Sequence, residues 1–115
     1  MEEAAPNVTF LEPLEPQAFS DPLSIVWTSK QNLHVTEWML LVGTSDGDWD
    51  IMCANTGERT RAAIDISDMS PLPQRIYVRL RYAVYDPAFR KADETNGQDR
   101  WYTTLVPFEI NKKAT

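Results

Sequence analysis

Three aspartates, Asp46, Asp48 and Asp50, alternate within Asp46-Gly47-Asp48-Trp49-Asp50. Hard cations need several oxygens converging on one point, and alternate strand positions would put all three carboxylates on one face. The pattern stops short of a calcium loop. Ile51 stands where an EF-hand needs glycine, and no bidentate glutamate follows at the required spacing. Asp46-Gly47 is also a turn signal, because aspartate and glycine accept the backbone angles a tight turn demands. The turn is the reading carried forward, and no metal ligand is assigned.

His34 is the single histidine and Cys53 the single cysteine, so zinc would need two or more carboxylates as well. Nothing around Cys53 hints at an activated nucleophile, and a buried or half-buried structural cysteine is expected. Four glycines supply neither a phosphate-cradling loop nor a Gly-x-Ser-x-Gly elbow. No pair of carboxylates can be placed across a cleft for glycoside hydrolysis. No catalytic residue is assigned, and nothing calls for a cofactor.

The remaining chemistry is recognition. Tyr77, Arg79, Arg81 and Tyr85 share one face of a strand, where aromatics beside arginines can stack on sugars or anchor a protein partner. The plainer role for that face is cross-strand pairing with Glu37, Asp65 and Glu109. Trp49 and Trp101 each fall at a strand start beside a loop, as ligand contacts or as the rim of the core. Phe89 lies in a long polar stretch and would either pin it to the body or wait there for a partner. The candidate contacts are therefore Trp49, Tyr77, Arg79, Arg81, Phe89 and Trp101.

These residues need a sheet to position them. In Arg75 to Tyr85, Ile76, Val78, Leu80, Tyr82 and Val84 alternate with Tyr77, Arg79, Arg81, Ala83 and Tyr85. Successive strand side chains point to opposite faces, so this is a long strand with one apolar face and one basic, aromatic face. Six further strands are expected. They are Val8 to Leu11 at an edge near Pro13 and Pro16, Leu23 to Trp27, Val35 to Gly43, Trp49 to Ala54, Thr60 to Ser67, and Trp101 to Ile110. The Val35 strand is apolar on both faces and should be central. Pro107 should leave a free or bulged edge in the last strand. About seven short strands with turn signals every ~8–12 residues predict an all-β, two-sheet antiparallel sandwich. Leu23, Ile25, Trp27, Trp38, Leu40, Val42, Ile64, Ile66, Ile76, Val78 and Leu80 should face inward.

At 115 residues the chain fits a single domain, 1–115, with an arm at 1–7, a long loop at 86–100 and a tail at 111–115. One cysteine excludes an intrachain disulfide. A formal net charge of −6 argues against nucleic acid as a partner. No apolar stretch approaches the ~20 residues of a membrane span, and the acidic start is not a signal peptide.

The strand order resembles fibronectin type III-like, immunoglobulin-type sandwiches. Trp27 and Trp38 resemble that family's inward aromatics, and Leu72-Pro73 resembles the loop ahead of its sixth strand. The run Trp38 to Ile51, with Val42-Gly43-Thr44-Ser45, followed by Tyr77-Val78-Arg79-Leu80, looks like modules of bacterial surface and secreted proteins. Two departures stand out. Alternation puts Tyr77 outside, where the family's tyrosine points inward, and the 86–100 loop is longer than a minimal sandwich needs. The resemblance implies a non-catalytic interaction or spacer module, protein-binding or structural, of a bacterial envelope or secreted protein. A cytoplasmic setting stays open. A carbohydrate-binding module using exposed aromatics is the alternative, and a small enzyme or metal-dependent domain the least favoured. The partner would be a protein or a glycan; oligomeric state is not legible.

Overall fold

The computed structural model describes residues 7–30, 33–45, 48–88 and 97–114. Eight strands follow one another: β1 (Val8–Glu12), β2 (Leu23–Ser29), β3 (Val35–Gly43), β4 (Met52–Gly57), β5 (Arg61–Ile64), β6 (Arg75–Asp86), β7 (Gln98–Thr103) and β8 (Phe108–Asn111). Among the described residues there is no helix. All strand pairs are antiparallel. They form a three-stranded sheet, β1-β2-β5, and a five-stranded sheet, β4-β3-β6-β7, in which β8 also pairs with β6.

The two sheets meet through their apolar faces. All eleven residues expected inside are buried, joined by Phe19, Tyr82 and Ile110. Fully burying a side chain of this size is worth about 1.5–3 kcal/mol, so this cluster is the main force holding the sheets together. A row of aromatics crosses the core. Trp27 of β2 meets Trp38 of β3 edge-on at 5.8 Å, Trp38 packs on Tyr82 at 5.1 Å, and Tyr82 stacks on Tyr102 of β7 at 5.7 Å. Tyr82, not Tyr77, is the inward tyrosine of β6, and Asn7 Nδ2 donates to its hydroxyl at 3.0 Å. Lys30 N–H donates to the Asn7 carbonyl at 2.9 Å, so the expected arm is already tied down at Asn7.

β3 lies between β4 and β6 and β1 is an edge, as the patterns required. The single strand expected over Trp101 to Ile110 is in fact two. Arg81 faces Thr103 while Val78 faces Phe108, so three steps along β6 match five along its partner. The surplus is thrown outward at Leu105 and Val106, with Pro107, which has no N–H to give the ladder, beside them. β7 begins at Gln98 and β6 runs to Asp86, so the long loop is shorter than 86–100. β4 begins at Met52, not Trp49, and β5 ends at Ile64, not Ser67. In both places a local side-chain turn replaces ladder pairing, as described next.

Candidate functional site

The outward face of β6 places Tyr77, Arg79 and Arg81 in one row, two residues apart. Their roles differ. Arg79 Nη1 donates to the Thr104 carbonyl at 2.9 Å. That carbonyl is therefore turned away from the ladder. The Thr104 hydroxyl takes its place and accepts the Leu80 N–H at 3.1 Å, while Thr104 N–H donates to the Leu80 carbonyl at 2.9 Å. Thr104 is buried, so it carries the sheet across the step between β7 and β8, with Arg79 as its brace. Sequence alternation gave no sign of this.

Arg81 lies over the Trp101 ring, 5.1 Å from its centroid. Trp101 sits in mid-strand on β7, opposite Ala83, rather than at a strand start. Beneath this pair Ala83 is fully buried although it lies on the outer face, and Leu41 of β3 is buried on the same face. The long side chains of the face cover its small and apolar residues themselves. Tyr77 is half-buried, and Arg75 Nε donates to Asn111 Oδ1 at 2.7 Å; the neighbouring Tyr77 and Glu109 hold the Arg75 guanidinium above its ordinary value.

The expected acid partners are redistributed. Glu109 pairs with Arg75 at 3.8 Å. Glu37 accepts from the Asn55 side chain. Asp65 lies just past β5, in the other sheet's connection, so it cannot pair across β6. It accepts instead from the Ser67 hydroxyl at 2.6 Å and N–H at 3.0 Å, which hold its carboxyl below the ordinary range.

Trp49 is brought to a different place. It belongs to the turn between β3 and β4 and is 59% exposed. The turn is built from side-chain bonds. Asp50 accepts the Thr44 hydroxyl at 2.7 Å and the Thr44 N–H at 2.8 Å, which lowers its pKa. Ser45 bonds the Asp48 carboxylate, and Asp48 N–H donates to the Ser45 carbonyl at 3.2 Å. A Cβ on Gly43 would stand 2.1 Å from the Asp48 carbonyl oxygen, so only glycine permits this closure. Asp50 puts both carboxylate oxygens into the turn and Asp48 one of its two; Asp46 and Gly47 lie outside the described residues.

Phe89 also lies outside them. The base of its loop is closed by Arg100 Nε to Asp86 Oδ2 at 2.9 Å, with Ala88 N–H on Asp86 Oδ1 at 2.9 Å. Cys53 is exposed, contrary to the buried or half-buried role expected. Its place on the outer face of β4 explains this, since no sheet packs there. Tyr85 is exposed and tilted toward His34, 6.5 Å between rings.

One feature had only a faint signal in the sequence. Between the edges of β4 and β5 lies an open cleft of about 320 Å³, floored by Leu40, Met52 and Ala62 and flanked by Arg59 and Arg61. It adjoins a groove of about 720 Å³ along the outside of β5. The signal was Arg59-Thr60-Arg61 at the head of the strand expected from Thr60. Comparison with protein-family models, curated proteins and solved structures gives no match.

Proposed function

We propose that the chain is a non-catalytic interaction module of the fibronectin type III-like, immunoglobulin-type class, from a bacterial envelope or secreted protein. The strand order β1-β2-β5 against β4-β3-β6-β7 supports that class, because it keeps the sequential hairpins and crossings of such sandwiches. The observation that carries the binding role is Trp49. A tryptophan at this exposure, held on a turn locked by Thr44, Ser45, Asp48 and Asp50, presents apolar surface with little ordering cost left for binding. Arg81 takes one side of the Trp101 ring, so Trp49 is the more open anchor. Tyr77, Arg81 and Trp101 form a second, braced surface, and Arg79 belongs to the scaffold. The favoured partner is a protein, with a glycan as the alternative.

The test replaces Trp49 by photo-crosslinking benzoylphenylalanine in the organism that makes the protein. In parallel, the purified chain and Trp49→Ala are titrated with cello-, chito-, xylo- and laminari-hexaose by tryptophan fluorescence. A protein adduct at position 49 without saccharide binding supports the proposal. Saturable saccharide binding that Trp49→Ala abolishes replaces it by the glycan reading. Neither result would leave a spacer.

A further inference from the structure

We propose that the cleft between β4 and β5 is a docking site for an extended acidic peptide, which adds to β5 as a further strand. This site is separate from Trp49 and stands whether or not the turn binds anything. The argument begins with the ladder. Among the described residues β5 pairs with β2 and with no other strand, which leaves its second edge open there. Trp27 N–H donates to the Thr60 carbonyl at 3.0 Å, in the same register that pairs Ile25 with Ala62 and Leu23 with Ile64. In an antiparallel ladder, bonded pairs alternate with non-bonded ones. Ala62 and Ile64 therefore point their backbone groups at β2. Arg61 and Ala63 point theirs, N–H and C=O alike, at the open edge. This is the two-residue spacing that an incoming strand uses.

Two of the devices that usually blunt such an edge, proline and a bulge, are absent from β5. Arg61-Ala62-Ala63-Ile64 contains no proline, and its register with β2 shows no bulge. Its shortness and the charge of Arg61 are the restraints, and the second is lifted by an acidic partner. Alternate side chains of an added strand would enter the cleft over Leu40, Met52 and Ala62. The charge of the partner follows from the rim. Arg59 and Arg61 are exposed and face no carboxylate within ion-pair distance among the described residues, on a chain whose formal net charge is −6. The β4 side of the cleft offers Asn55 and Thr56, which are neutral. Among the described residues Glu58 is the one acid lining the outer groove. A second copy of this chain is disfavoured, because pairing β5 with β5 would crowd four arginines into one cleft. An acidic strand neutralises them instead.

The probe is a fluorescein-labelled peptide, (Thr-Glu)4, titrated by anisotropy with the intact protein at low salt. Saturable binding is expected. It should weaken at least about tenfold in Arg59→Glu/Arg61→Glu, and by a comparable factor at 0.5 M NaCl. Ala63→Pro removes an outward N–H without touching the β2 ladder, so it should keep the melting temperature and lose binding. Should that variant melt lower, the same question is put to unchanged protein with (Thr-Glu)4 N-methylated on alternate residues, which should not bind. Three results would overturn the proposal: no saturation by about 1 mM peptide; equal binding of (Thr-Lys)4; or binding that survives both Ala63→Pro and N-methylation, which would be charge adsorption only. Self-association in sedimentation that Ala63→Pro abolishes would name a second copy as the occupant and overturn it as well.

Discussion

The two flanks of this sandwich are finished in opposite ways. On one, β1 and β8 are the facing edges. Phe10 and Phe108 stack across the gap, 4.5 Å between ring centroids and 6° from parallel. Just beyond, Gln17 N–H donates to the Asn111 carbonyl at 2.9 Å and Lys113 N–H to the Gln17 carbonyl at 2.7 Å, which sews the sheets together along the backbone. On the other flank β4 and β5 face each other with Ala54 and Ala62, and a cleft remains. Burial inside is equally complete behind both. The difference lies in the reach of edge side chains. Two phenyl rings bridge two sheets whose faces lie about 10 Å apart; two methyl groups do not. Closing a flank is thus a local choice of residue size, and an open one is available for recognition at little cost to the core.

Breaking the closed flank should have the largest effect. Phe108→Ala removes half of the stack from a half-buried site, and we expect a loss of about 2–3 kcal/mol, below the range for a fully buried ring. Denaturant melts of the single and double Phe10/Phe108 variants would check it. Strict additivity of the two would mean that the rings act independently and the flank is not closed by their contact.

The step between β7 and β8 comes next. Thr104→Val keeps the shape but leaves the buried Leu80 N–H without its acceptor, for an expected cost of about 1–2 kcal/mol. Thr104→Ser should recover most of it. If serine and valine behave alike, the hydroxyl is not what holds the step.

Filling the open flank should do the reverse on a smaller scale. Ala62→Leu points into the cleft and should be neutral or stabilise by up to about 1 kcal/mol, where a like enlargement inside the core would destabilise. The same change should block the proposed peptide. A marked loss of melting temperature would show that the flank is packed rather than open.

Acid sharpens the contrast most finely. Asp50, ahead of β4, and Asp65, behind β5, are both held below the ordinary carboxylate value of 3.8 by hydrogen bonds to Thr44 and Ser67. An unfolded chain lacks those bonds. Their contribution is therefore complete above the ordinary value and fades as pH falls through the lowered ones. Amide exchange, corrected for intrinsic rate, should rise in β4 and β5 below about pH 4 before it rises in β8. Asp50→Asn should flatten the response of β4 alone; a uniform rise along all strands would refute the local origin.

Much of this molecule is written in alternation. Ile76 to Val84 against Tyr77 to Tyr85 determined the face of every β6 residue, because a strand's period of two leaves no freedom once one side is apolar. Trp27, Trp38 and nine aliphatics placed the core for the same reason. Pro107 marked the irregularity inside the strand expected over Trp101 to Ile110. Partners were not legible, because they depend on which strands become neighbours and which sheet each strand joins. Asp65 fell in the other sheet's connection, Glu109 went to Arg75, and Arg79 turned to the Thr104 carbonyl. Cys53 became exposed because, among the described residues, no sheet packs on its face of β4. The cleft beside β5 is the furthest from the sequence, since an open edge exists only relative to the strand that does not come to cover it. Local pattern decides which way a side chain points, and the assembled sheets decide what it meets there.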